Sequence, residues 1–221
     1  MTAKIYQRKK NDYSSVIRLV LCVMILGKSI CLQAQKQAQY YANKNLKSIG
    51  EVDSLGKKGI WKFYYPDGTL NASEEYRNND LHGVSKSYFP NKQLKSEEVW
   101  QEGLLTDSAF YYYESGSLRR KGVYKDGLYE GIWLSYYGNS ILKSIGKYKT
   151  GLPEGEWVTY NDQGVIVEHA QYLEGKKDGN WTFYNDLGNV TFKGAYSKGK
   201  ETGPWYKFNK KGKKKLFHTY P

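Results

Sequence analysis

The feature that most constrains this chain is an uninterrupted 24-residue period. It shows first as an echo: "LKSIG" at Leu46 to Gly50 returns at Leu142 to Gly146, 96 residues on, and Tyr40, Tyr41 and Asn43 return as Tyr136, Tyr137 and Asn139. Written in rows of 24, the sequence aligns Gly59, Gly83, Gly131, Gly155, Gly179 and Gly203 in one column, with Asp107 as the exception. Two columns on stand Trp61, Trp133, Trp157, Trp181 and Trp205, with Ser85 and Ala109 as substitutes. Five columns on, every row is aromatic: Tyr64, Tyr88, Tyr112, Tyr136, Tyr160, Tyr184 and Phe208. Seventeen columns on, every row is again aromatic: Tyr76, Trp100, Tyr124, Tyr148, Tyr172, Tyr196 and Tyr220. About seven and a half units, starting near 35, 59, 83, 107, 131, 155, 179 and 203, therefore fill residues 35–221.

One unit reads as a β-hairpin. In "GIWKFYYPDGTLNASEEY" an aromatic and apolar run with no helical period meets proline and glycine turn chemistry, and Leu70 and Tyr76 then fall at even separation, as on a strand with one buried face. Turn signals recur as "ESG", "DQG", "DLG" and "KKG", then as "QEG", "KDG", "KTG", "LEG" and "SKG". Strands between turns so closely spaced predict an all-β fold: an elongated, single-layer antiparallel hairpin repeat of fourteen or so strands. At about 4.8 Å per strand the ribbon spans roughly 65 to 70 Å. Its repeat core is expected in the tryptophan column together with Tyr76, Trp100, Tyr124, Tyr148, Tyr172 and Tyr196, each ring stacked on its counterpart in the next row. Gly50, Gly122, Gly146 and Gly194 fall mid-strand, which suggests that a neighbouring ring lies over bare backbone.

The pattern GxWxxYxxxG, carried in one row by Gly155, Trp157, Tyr160, Gly164, Tyr172 and Gly175, resembles the bacterial MORN-repeat variant family over essentially all of 35–221. The resemblance implies a string of hairpins in an elongated, curved sheet, with roles in membrane-lipid contact, scaffolding or dimerisation; bacterial relatives are often labelled antitoxin-like. Ser85, Ala109 and Asp107 depart from the pattern.

Residues 1–34 stand outside the repeat. Lys4, Arg8, Lys9, Lys10 and Arg18 precede the apolar run Leu19 to Leu26 and a small residue at Ala34, the order of a secretory signal peptide. The run is well short of the roughly 20 residues that span a bilayer. An exported protein is expected, periplasmic, outer-surface or secreted. Both cysteines, Cys22 and Cys31, lie in this leader, so residues 35–221 can form neither disulfides nor thiolate metal sites. The net charge of +12 also dissolves on inspection: the leader holds six basic residues and one acidic, and six lysines from Lys207 onward meet no acid, leaving 22 basic against 21 acidic residues over 35–206. No nucleic-acid partner is expected.

Catalysis needs a residue that breaks the repeat. His82, His169 and His218 fall in different columns, and no HExxH, paired cysteines or phosphate loop occurs. Glu74 with Glu75 recurs as Glu97 with Glu98, but neighbours on a strand point to opposite faces and serve one substrate poorly. The expectation is a non-enzymatic protein without a cofactor, acting as a scaffold for another envelope protein. Tyr64, Tyr112, Tyr136, Tyr160 and Tyr184, of opposite parity to the tryptophans, form a candidate interaction face. Glycan binding by the aromatics is an alternative. Contact of Lys210, Lys211, Lys213, Lys214 and Lys215 with anionic lipid, at about 1 kcal/mol per lysine, is another.

Overall fold

The computed structural model describes residues 35–221; the predicted leader, 1–34, lies outside the described residues. The described chain is all β. An incomplete first unit contributes β1 (Gln35–Tyr40) and β2 (Leu46–Asp53); β3 (Gly56–Tyr64) and β4 (Leu70–Arg77) form the next hairpin. There follow β5 (Asp80–Leu81), β6 (Gly83–Tyr88), β7 (Leu94–Gln101), β8 (Leu104–Tyr112), β9 (Leu118–Lys125), β10 (Leu128–Tyr136) and β11 (Leu142–Lys149). The series ends with β12 (Leu152–Tyr160), β13 (Ile166–Leu173), β14 (Lys176–Lys177), β15 (Gly179–Tyr184), β16 (Val190–Ser197), β17 (Lys200–Phe208) and β18 (Lys214–Tyr220). The eighteen strands exceed the fourteen expected, because the half unit adds a hairpin and two first strands are cut in two, leaving β5 and β14 as short separate pieces. All pairings are antiparallel between neighbours in the chain, except that β5 and β6 both pair with β4, and β14 and β15 both with β13; among the described residues β1 pairs with β2 alone and β18 with β17 alone, so the ribbon stays open.

Each unit contains two turns of different build. At the first, the Tyr65 N–H donates to the Thr69 carbonyl and the Gly68 N–H to the Tyr65 carbonyl, with Gly68 left-handed at φ 89°: a type I turn followed by an αL residue. At the second, pairs such as Asp126 (φ 51°) and Gly127 (φ 78°) both take positive φ, as in a type I′ turn. The first glycine column has a separate purpose. Gly59, Gly131, Gly155 and Gly203 have φ of 61 to 71° beside a slip in register, where an extra residue bulges the strand. Asp107 adopts the same conformation at φ 55°, its carboxylate accepting from the Ser108 N–H and hydroxyl. A left-handed L-residue costs roughly 1 to 2 kcal/mol, and those local bonds offset part of it. Asp107→Gly is therefore expected to stabilise the chain by about 0.5 to 1 kcal/mol, read as a raised urea midpoint.

A single layer has no second sheet to bury its rings, so the strands bury them against their own backbone. Trp61 and Trp181 are each 1% exposed, and Trp133 and Trp205 are buried; Trp157 is half-buried. The rings lie over the mid-strand glycines, as the sequence suggested: a Cβ at Gly50, Gly122, Gly146 or Gly194 would come within 2.1 to 2.3 Å of the indole eleven residues on. In the fifth such pair Ala170 takes the glycine's place before Trp181. Each of these five indole N–H groups then donates to the carbonyl ten residues back, from Trp61 to Glu51 (3.0 Å) through Trp205 to Ala195 (3.2 Å), so the donor is satisfied.

Consecutive hairpin tips are stitched together. Tyr41, Tyr65, Tyr113 and Tyr137 donate their hydroxyls to the carbonyls of Tyr64, Tyr88, Tyr136 and Tyr160, each 23 residues on. Asn43, Asn91 and Asn139, 48 residues apart, donate their side-chain amides to the carbonyls of Pro66, Glu114 and Asp162. On the opposite edge Glu130, Glu154 and Asp178 accept from the N–H groups of Thr150, Glu174 and Lys198. These bonds account for the 96-residue echo. Tyr41 and Tyr137, Asn43 and Asn139, and Gly50 and Gly146 hold equivalent places, and 96 residues are two turns of the 48-residue asparagine alternation.

Candidate interaction surface

The two faces of the ribbon differ in chemistry. On the tryptophan face the rings form an alternating edge-to-face ladder, Tyr124, Trp133, Tyr148, Trp157, Tyr172, Trp181, Tyr196, Trp205 and Tyr220, with centroids 5.0 to 6.5 Å apart. This differs from the like-on-like stacking expected. The column-17 ring comes between successive indoles, so a tryptophan meets a tyrosine on either side. Burial raises the phenol pKa of Tyr148, Tyr172 and Tyr196 above the ordinary value. Lysines reach over the rings as well: Lys177 Nζ lies 4.2 Å from the Trp181 ring centre and Lys57 Nζ 4.8 Å from that of Trp61.

The ladder breaks where the tryptophan column fails. Ser85 and Ala109 replace indoles, and the positions eleven residues earlier, which hold Gly or Ala elsewhere, carry Glu74 and Glu98. The registers Trp61↔Glu74, Ser85↔Glu98 and Ala109↔Gly122 put them all in one cross-strand line on the tryptophan face. The Tyr76 hydroxyl donates to Glu74 Oε2 at 2.6 Å. Burial, and secondarily contact with Glu98, leaves the Tyr111 phenol pushed up to about 12, against the lowering effect of its hydrogen bond with Tyr124. Trp100, placed with the core columns by the sequence, is half-buried here and pairs with no other ring among the described residues. Its Nε1, with His82 Nδ1, Ser85 Oγ and Arg120 Nε, makes up the set of buried side-chain atoms lacking a hydrogen-bond partner among the described residues. All four lie between residues 82 and 120, where the repeat chemistry is interrupted.

The opposite face is aliphatic along its middle. Cross-strand pairs Val84↔Val99, Leu134↔Ile145 and Ile145↔Val158 lie with Val123 and Ile132 on the side away from the tryptophans, between β6 and β12, with Thr106 and Ser108 of β8 set among them. Val84, Val123 and Ile132 are exposed, Ile132 to 52%. An ion pair of Lys86 with Glu97 at 3.1 Å flanks this stretch on one side and a hydrogen bond between His169 and Glu156 on the other. The columns chosen from sequence as an interaction face lie elsewhere: Tyr64, Tyr112, Tyr136, Tyr160 and Tyr184 are half-buried at strand ends next to the first turns. The aliphatic face escaped the sequence reading because its columns hold valine, isoleucine, leucine, serine and glutamate by turns, with no invariant residue. Lys210, Lys211, Lys213, Lys214 and Lys215 are exposed, and Lys214 and Lys215 lie on β18 itself. Among the described residues no three His, Cys, Asp or Glu side chains gather to hold a metal ion, and no helix is long and apolar enough to cross a membrane.

With this geometry in hand, the family comparison has one positive result. Residues 57–78, 81–102, 108–126 and 129–150 match the MORN repeat variant model. Four units carry the MORN repeat variant pattern. The matched stretches take in the very region where Ser85 and Ala109 interrupt the tryptophan column, so the turns and aromatic columns carry the pattern there without the indole. No curated protein matches the chain. Among solved structures, "Crystal Structure of TcdB2-TccC3-Cdc42" and "Crystal Structure of TcdB2-TccC3" align over 81% and 80% of this chain at 10% identity, with TM-scores of 0.22 and 0.18. This chain spans 12% and 14% of the length of those two.

Proposed function

We propose that this is a non-enzymatic bacterial scaffold, exported by its leader, that presents the aliphatic face of its MORN repeat variant units to another protein of the cell envelope. The observation that carries the reading is the exposed line of Val84, Val123 and Ile132 beside Leu134, Ile145 and Val158, on a layer whose other face already buries its own rings. Two aliphatic stretches on one open face, parted by Thr106 and Ser108, fit a flat or helical partner surface better than a small molecule. The leader composition supports export. The test is affinity capture from a cell-envelope extract with the wild-type chain and with Val123→Asp/Ile132→Asp. Both side chains are exposed, so the variant keeps its fold, checked by circular dichroism. One protein recovered near stoichiometry by the wild type and lost with the variant is the expected result; equal recovery by both sinks the reading.

A second reading, contact with anionic lipid, rests on the last unit. Lys207, Lys213, Lys214 and Lys215 surround an open cleft of about 490 Å³ beside the exposed strand β18. Truncation at Lys210 is a poor test, because β18 pairs across Trp205 through His218 and Tyr220 packs on that indole. Replacing Lys211, Lys213 and Lys215 with Gln removes charge and keeps the strand. Binding to phosphatidylglycerol vesicles that survives this change excludes the tail.

A further inference from the structure

Six side chains, Tyr64, Asp67, Thr69, Leu70, Tyr88 and Lys92, line an open cleft of about 580 Å³ between the first-turn tips of two successive units. The cleft has a definite structural cause. Side-chain bonds cross from one tip to the next at Asn43 to Pro66, Asn91 to Glu114, Ser117 to Gly138, Asn139 to Asp162 and Asn161 to Asp186. At the tip holding Asp67 the asparagine position is a carboxylate, which has no N–H to donate. Between that tip and the next, the Tyr65 hydroxyl still holds the strand end at the Tyr88 carbonyl, but no side-chain bond joins the turns themselves among the described residues. A gap is left, with a tyrosine from each unit on its walls.

The chemistry of the gap restricts its occupant. Asp67 accepts from the Thr69 N–H at 2.8 Å, which together with the Thr69 hydroxyl holds its carboxyl below the ordinary range. Lys92 is close enough to act in the same direction. An anion would meet the Asp67 carboxylate, and a cation would meet Lys92. A neutral ring bearing hydroxyls suits both, since each hydroxyl donates to a carboxylate or accepts from an ammonium, while its C–H face lies against tyrosine. The volume is in the range of small-ligand sites.

We propose that the Tyr64–Tyr88 cleft is a binding site for a neutral saccharide unit, separate from the aliphatic face. The test is calorimetric titration of the chain with cellotriose, chitotriose and maltotriose. At least one sugar is expected to saturate with one-to-one stoichiometry in the millimolar range. Asp67→Asn removes the carboxylate and supplies the missing donor, placed to reach the Pro90 carbonyl 23 residues on as Asn43, Asn91 and Asn139 reach theirs; it keeps the turn, since asparagine serves at three other tips. It is expected to weaken the sugar at least about tenfold, as is Tyr88→Ala. Asn161→Ala, at a distant tip, is expected to bind as the wild type does. Failure of all three sugars to saturate overturns the proposal, as does wild-type affinity in either Asp67→Asn or Tyr88→Ala, or an equal loss in Asn161→Ala.

Discussion

Gly146→Val is expected to cost about 3 kcal/mol or more, seen as a large drop in urea midpoint by circular dichroism and an altered tryptophan emission. A Cβ at Gly146 would lie 2.2 Å from Trp157 Cδ2 and Cε2 and 2.6 Å from Cε3, so the indole must lift. Lifting it breaks the Nε1 bond to the Lys147 carbonyl and the ring contacts with Tyr148 and Tyr172. The backbone has little room to yield, because Gly146 also pairs with Trp133 on β10. Valine is the informative choice, since the strand under Trp181 already accommodates a methyl group at Ala170, and a branched side chain exceeds that allowance. Gly138, with nothing within 4 Å of an added Cβ, is the control: Gly138→Ala should change the midpoint hardly at all. In a Trp157→Ala background the Gly146→Val cost should shrink to a small fraction. If it stays full-sized, the ring is not what excludes the side chain.

The columns that could be read from sequence are those where packing demands one shape at every repeat. Trp61, Trp133, Trp181 and Trp205 recur because a single layer needs a large flat ring against its backbone, and Gly50, Gly122, Gly146 and Gly194 recur because that ring needs the space. The tip stitching was not legible for the opposite reason. Tyr41 and Asn43 donate to backbone carbonyls, which every residue possesses, so their partners Tyr64 and Pro66 need share no pattern. Trp100 misled because aromatic identity in a column does not guarantee an aromatic neighbour. With Ser85 and Ala109 in place of indoles, its ring has nothing equivalent to pack on. The cleft at Asp67 was invisible for a third reason: it arises from a missing donor, and an aspartate among asparagines reads as ordinary turn chemistry.

Ser85→Trp, which restores the repeat pattern, is expected on its own to destabilise the chain by about 3 kcal/mol, contrary to a consensus argument. The register Ala72↔Ser87 and Ser73↔Lys86, continued by one pair, sets residue 85 beside Glu74, where every other tryptophan finds Gly or Ala. An indole at 85 meets the Glu74 side chain and displaces the carboxylate from the Tyr76 hydroxyl. Glu74→Gly alone should also cost about 1 to 2 kcal/mol, because it removes that partner and opens a gap beside the buried Ser85. Together the two changes rebuild the glycine–indole pair seen at Gly50 and Trp61, so the double variant should match or exceed the wild type, a coupling of about 4 to 5 kcal/mol. Measured urea midpoints that add without coupling would mean that the loss of tryptophan and the gain of glutamate are independent accidents. A strong coupling would mean that one substitution permits the other, and that the break in the ladder between Tyr76 and Tyr124 is a single structural event spread over two units.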